Sequence, residues 1–247
     1  MLRFRDSDHL YEEINDPSRK WSGVTTLISK FKEKFDDSIS EKNSRDTQSK
    51  WFGVDPAEIR RIWKAEGDRS TSLGKQYHLK QELGEVTGIQ CCPVVDEWKY
   101  AGVQQLQEGV YPEFLCYHPE YAVCGQIDRV EVINNVINII DYKSNKEIKR
   151  EGFRGKRMLP PINHLQDCHL MHYSLQLSLY AYILQYHNRN MTIGNLQIHH
   201  VKFEQIGEDK YGYPIYKQEN GEFVVKSVEV IPVEYLKKEV DLILNSL

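Results

Sequence analysis

The chain has little of what would set it apart from ordinary globular proteins. No apolar run approaches the roughly 20 residues that a bilayer-spanning helix needs, so no membrane partner is expected. Internal repeats and low-complexity tracts are missing as well. The opening Met1-Leu-Arg-Phe-Arg-Asp-Ser-Asp offers neither the apolar core of a secretory signal nor a transit-peptide pattern, and the expected location is the cytoplasm. Cysteine is scarce and unpatterned: 5 residues, with no repeated spacing. Cys91-Cys92 is the only close pair and has no CxxC partner, which reads as free thiols instead of disulfides or structural zinc. A strong charge of one sign is also lacking. The 36 acidic and 32 basic residues leave a net charge of −4, which speaks against a protein that coats nucleic acid.

What is present suits one compact domain over residues 1–247, since 40% of the 247 residues are hydrophobic and 11% aromatic. A mainly helical part is expected over 1–100, opened by short strand material through about Ile14, then a core over 105–205, and a hairpin with a closing helix over 206–247. Val24, Leu27, Ile28, Phe31 and Phe35 recur at helical spacing. Asp55-Pro56-Ala57-Glu58 has the pattern of a helix start, and that helix is expected to stop near Gly67, with another from about Thr71 to Gly84. The period then changes to two. Segments 110–117, 121–133 and 136–143 read as antiparallel strands, followed by a helix over about 167–186 that is apolar nearly all round. A strand over about 195–204, a hairpin over 211–231 turning at Asn220-Gly221, and a helix opened by Pro232 complete the reading. The fold class is therefore mixed α/β (α+β).

Charge is uneven along the chain. From Lys143 onward, Lys146, Lys149, Arg150, Arg154, Lys156 and Arg157 stand against Glu147 and Glu151 alone. Taken by itself such a run is usually a solvated loop; next to the motif below it offers a local positive path for phosphates.

Asn134-Asn135 between two strand-like runs is a good two-residue hairpin turn, because both residues tolerate positive φ. Counting from it sets Ile133 against Val136, Val130 against Ile139, Asp128 against Asp141, and Gln126 against Lys143. Two carboxylates opposed on an otherwise apolar face are destabilising unless something positive lies between them. A divalent cation meets that need, and Mg²⁺ is the natural one for oxygen donors, with Mn²⁺ as a substitute. Lys143 shares the face and can offset charge building on a phosphate. The competing reading is a surface hairpin whose acids merely lie close together.

These residues resemble motifs of a known superfamily. Gly125-Gln-Ile-Asp128 followed by Ile139-Ile-Asp141-Tyr-Lys143 is similar to motifs II and III of the PD-(D/E)XK nucleases. Gly74-Lys-Gln-Tyr-His78 resembles the G-xxx-H motif of the RecB-like exonuclease branch, Gln176-Leu-Ser-Leu-Tyr180 its Q-xxx-Y motif, and Val24-Thr-Thr-Leu-Ile its amino-terminal segment. The resemblance spans about residues 20–205 and implies a restriction-endonuclease-like core, a central mixed sheet flanked by helices. It also implies hydrolysis of DNA in replication, recombination or DNA processing. Asp128, Asp141, Lys143 and the upstream acid Glu113 would be catalytic. His78 and the Tyr142 backbone carbonyl would join the acids around the metal, and Gln176 and Tyr180 would contact substrate or steady a catalytic group. Some relatives carry an iron–sulfur cluster; no cysteine follows Cys168, so none is expected. A zinc site from His164, Cys168, His169 and His172 lacks a second matching half. The same residues leave open a binding module without turnover and a sequence-specific endonuclease.

Overall fold

The computed structural model describes residues 1–33, 36, 38–84 and 92–247. Phe35 and Cys91, which entered the helix and cysteine readings, lie outside these residues. The amino-terminal part opens with strands β1 (Leu2–Arg5) and β2 (Leu10–Glu13), then the short β3 (Ser22–Gly23). Helix α1 (Val24–Ser29) buries Val24, Leu27 and Ile28 and stops there; Phe31, expected on the same helix, sits buried in the turn beyond it. Helix α2 (Ile39–Arg45) was not expected.

Helix α3 (Pro56–Gly84) replaces the two helices expected from the sequence. Asp55 caps it as foreseen, its Oδ1 accepting the Ala57 N–H at 2.6 Å and the Glu58 N–H at 3.4 Å. Gly67 fails to end it because glycine in a helix interior costs only about 1 kcal/mol relative to alanine. The Glu66–Arg69 ion pair at 2.8 Å spans that point. After α3, β4 (Val94–Val95) and β5 (Trp98–Tyr100) return to β1, giving a four-stranded sheet in the order β2-β1-β5-β4; β1 and β2 fall in the stretch read as strand material, whereas β4 and β5 were not expected.

The central sheet follows. Strands β6 (Gly109–His118), β7 (Val123–Ile133) and β8 (Val136–Lys143) are antiparallel neighbours. The turn between β7 and β8 is the expected one, with φ of 53° at Asn134 and 60° at Asn135. Ile133 pairs with Val136 and Val130 with Ile139, so the counted register is present as far as Arg129–Ile140. Helix α4 (His169–His187) then crosses over to β9 (Thr192–Phe203), which runs parallel to β8. The sheet is thus mixed and flanked by helices. Helix α4 is buried on every side, and Leu175, Leu177 and Leu179 pack into one core with Phe114, Ile127, Ile137 and Ile139.

The carboxy-terminal part departs from the sequence reading. Strands β10 (Gln205–Glu208) and β11 (Pro214–Tyr216) form one small ribbon, and β12 (Gln218–Glu219) and β13 (Glu222–Phe223) another, turning at Asn220-Gly221. The rest of the expected hairpin is β14 (Val225–Val233), which pairs with β9 along the edge of the central sheet. Pro232 therefore lies in an edge strand, where a missing N–H is tolerated. The closing helix α5 (Lys237–Leu244) starts after it. No helix among the described residues is long and apolar enough to cross a membrane.

Candidate metal centre

The site forms where two strands part. Strand β6 pairs with one edge of β7 over most of its length. The other edge is shared by β8 at residues 129–133 and β3 at residues 123–124, so residues 125–128 have no ladder partner there. Into this gap Asp128 turns its carboxylate, and its Oδ2 accepts the Tyr142 N–H at 2.7 Å. The Asp128–Asp141 opposition counted from the turn thus lies one step beyond the last ladder pair.

On the other side of Asp128 the β6–β7 ladder also skips a step. Pro112 pairs with Arg129 and Phe114 with Ile127, while Glu113 between them adopts φ 49°. A non-glycine residue in the left-handed region costs about 1–3 kcal/mol and persists only where its surroundings hold it. Here the Gln126 amide donates to Glu113 Oε2, and Lys99 Nζ reaches the Glu113 carbonyl at 3.4 Å. The strained turn aims the Glu113 carboxylate toward His78.

His78 comes from α3. Its Nδ1 lies 3.4 Å from Asp128 Oδ1 and 3.7 Å from Glu113 Oε1, and its Nε2 lies 3.2 Å from the Tyr142 carbonyl. His78, Glu113 and Asp128 each offer a ligand atom, all within 4.8 Å of one another. Gly74, one turn earlier, lets the helix approach: a Cβ there would lie 3.1 Å from Ser144 Oγ.

Asp141 stands behind this group, 1% exposed. Its Oδ1 accepts the Gln176 amide at 3.1 Å. Its Oδ2 pairs with Lys143 Nζ at 2.5 Å. Lys143 in turn lies 4.8 Å above the Tyr173 ring, whose hydroxyl donates to Asn145 at 2.8 Å.

Crowded acids shape the proton affinities. Burial pushes the Asp128 carboxyl above the ordinary carboxylate range, and the Asp141 charge adds to the rise against the pull of His78 and Lys143. For His78 burial acts downward, but the Glu113 hydrogen bond and the charges of Asp128, Glu113 and Asp141 together raise it to about 9. Lys143 is likewise raised, burial being outweighed by Asp141 and Asp128. The site thus crowds three carboxyl groups against one imidazole and one ammonium, and each of the shifted groups responds to the others' charge.

Gln176 and Tyr180, expected at the substrate, line the inner wall of the site cleft as buried side chains. Gln176 steadies Asp141, and Tyr180 fills the space left by Gly125, where a Cβ would come within 2.7 Å of its ring. The residues of the basic run differ in their surroundings. Lys156 is 3.0 Å from Glu33 and 3.9 Å from Asp167, and Arg157 donates to the His164 carbonyl at 2.7 Å. Lys146, Lys149, Arg150 and Arg154 are exposed. The three histidines weighed for zinc have other partners: His164 contacts Glu239, His172 contacts Asp167, and His169 contacts the Glu147 carbonyl.

The sequence reading missed Gln126, Lys99 and Tyr173 as supports. Gln126 is two residues before Asp128 and Tyr173 three before Gln176, so period-two and one-turn spacing would have found both. Nothing local marks Lys99. Comparison with protein-family models gives no match, and a search of curated proteins gives none.

Proposed function

We propose that the chain is a metal-dependent deoxyribonuclease of the PD-(D/E)XK superfamily, in its RecB-like exonuclease branch, with a restriction-endonuclease-like core. The supporting observation is the convergence of His78, Glu113 and Asp128 beside the Asp141–Lys143 pair, at the point where β7 and β8 part. The donors suit Mg²⁺ or Mn²⁺: mostly carboxylate oxygen, one imidazole, the Tyr142 carbonyl next to that imidazole, and the buried Asp141 carboxylate behind them. His78, Glu113, Asp128 and Asp141 would hold the cation, and His78 would surrender its proton as the cation binds. A bound Mg²⁺ supplies charge that polarises a phosphoryl oxygen and makes water a competent nucleophile at neutral pH.

The chain's own residues do the positioning. Gln176 fixes the Asp141 carboxylate, and Tyr173 holds Lys143 at the mouth of the gap. There the ammonium can move from Asp141 to a phosphoryl oxygen as charge develops on it. Hydrolysis would leave a 5′-phosphate, and DNA is the partner in replication, recombination or DNA processing. Asp141→Ala and Lys143→Ala, assayed on end-labelled single- and double-stranded DNA with Mg²⁺, are expected to lose at least about a hundredfold in rate. Full activity in both would refute the proposal. Circularised substrates check the exonuclease part, which requires them to survive.

A further inference from the structure

Helix α3 and the end of β8 separate two clefts. Gly74 lines the cleft of the metal centre and Ser144 lines the other, so the two meet at the close Gly74–Ser144 approach. The second cleft, about 510 Å³, is walled by Ser144, Asn145, Lys146, Lys202, Tyr216 and Lys226. Its floor includes Phe203, whose ring centroid lies 5.8 Å from that of the half-buried Tyr216.

The lysines come from three separate strand segments. Lys146 follows β8, Lys202 is on β9 and Lys226 on β14. Lys226 is also the extra residue of a bulge, because Val225 pairs with Phe203 and Ser227 with Lys202. A bulge re-aims one side chain, and here it brings a third ammonium to the cleft. One carboxylate, Glu204, also lines the cleft, 3.7 Å from Lys217, and Glu229 beside it pairs with Lys202 at 3.0 Å. Lys146 and Lys226 make no hydrogen bond or ion pair among the described residues. Two ammonium groups without an ion pair, lining one cleft with the half-buried Tyr216, suit a chain of phosphates with an unstacked base between them. A duplex keeps its bases paired inward and presents no such face.

We infer that this cleft seats the backbone of a single nucleic-acid strand as it continues past Lys143, an inference that rests on the nuclease reading for the direction of the strand. The test uses the full chain in EDTA, where no cleavage is expected, and the anisotropy of a labelled oligothymidylate of about 20 nucleotides, between roughly 50 and 200 mM salt. Lys226→Glu should weaken binding several-fold and reduce the salt slope by about 0.7, one phosphate's share; Lys146→Glu/Lys226→Glu should weaken it about tenfold or more and reduce the slope by about 1.4. Lys238→Glu, the same charge change on α5 away from the cleft, should stay within about twofold of the unaltered protein. Thermal melting shows whether these exposed variants keep the fold.

Binding by Lys226→Glu equal to that of the unaltered protein overturns the inference. So does an equal loss in Lys238→Glu, or failure of the unaltered protein to bind the strand. Cleft-dependent binding without any cleavage in Mg²⁺ or Mn²⁺ upholds the cleft and removes the nuclease reading alone.

Discussion

Helices α3 and α4 each send a pair of residues one turn apart to the same hairpin, yet they are built in opposite ways. Helix α4 is apolar, buried on all sides and continuous with the main core. Helix α3 runs 29 residues with only Ile59, Ile62 and Leu73 buried. It is tied down by long side chains: Lys75 to Asp6 at 2.9 Å, Lys80 to Glu222 at 2.5 Å, and Arg69 to the Pro214 carbonyl at 2.5 Å. Exposed ion pairs of this kind contribute about 0–1 kcal/mol each. Gln176 therefore sits on a rigid element and His78 on one that can shift at small cost. The arrangement separates support of Asp141 from completion of the metal centre.

Core truncation should expose the contrast most strongly. Leu177→Ala, in the middle of α4, is expected to cost about 2–5 kcal/mol in denaturant unfolding, because a fully buried leucine leaves a cavity the core cannot close. Leu73→Ala, in a small cluster with Val201 and Phe203, should cost less. Equal losses would mean that α3 belongs to the same cooperative core.

The glycines give a second comparison. At Gly125 an added Cβ meets the Tyr180 ring at 2.7 Å, and Gly125→Ala should lose about 1–3 kcal/mol through overpacking. At Gly74 the Cβ meets only the end of Ser144 at 3.1 Å. Gly74→Ala should leave the melting temperature nearly unchanged while weakening Mn²⁺ binding measured by calorimetry, and Ser144→Ala should restore that binding. A melting temperature lowered as much by Gly74→Ala as by Gly125→Ala would erase the distinction.

Side chains at the site divide in the same way. Gln176→Ala leaves Asp141 Oδ1 buried without its donor, at a cost of about 1–3 kcal/mol. His78→Ala removes a half-buried ring from a crowded acid group, so its stability loss should be smaller while its loss of Mn²⁺ affinity is larger. Chemical unfolding and metal titration on both variants give the four numbers. A larger stability loss for His78→Ala would invert the assigned roles.

What the sequence made legible follows from the reach of each signal. The β7–β8 register was readable because two asparagines fix the turn and a period of two carries the count outward as far as Arg129–Ile140, one step short of Asp128 and Asp141. The Asp55 cap was readable because capping is local. The first two strands of the amino-terminal sheet were readable as strand material, but its completion was not, since β1 pairs with β5, far along the chain, and β5 is too short to show a period. Glu113 could be named from resemblance, but not its φ of 49°, which the surrounding bonds impose. Of the basic run, Lys156 is occupied by Glu33 and Asp167, while Lys202 and Lys226, which join Lys146 around one cleft, arrive from distant strands that no local signal connects.

Gly67 yields the smallest effect and isolates local propensity from packing. It lies exposed in the middle of α3, and a Cβ there would meet nothing within 4 Å. Gly67→Ala should therefore stabilise the protein by up to about 1 kcal/mol, the full helix-propensity difference, with no steric offset. The gain appears in global unfolding only if α3 unfolds together with the rest of the chain. If instead α3 opens separately, as its dependence on surface ion pairs suggests, the substitution should slow amide exchange along residues 59–80 and leave the global midpoint unmoved. A shifted midpoint with unchanged local exchange would place α3 in the main core beside α4, and His78 would then be as rigidly held as Gln176.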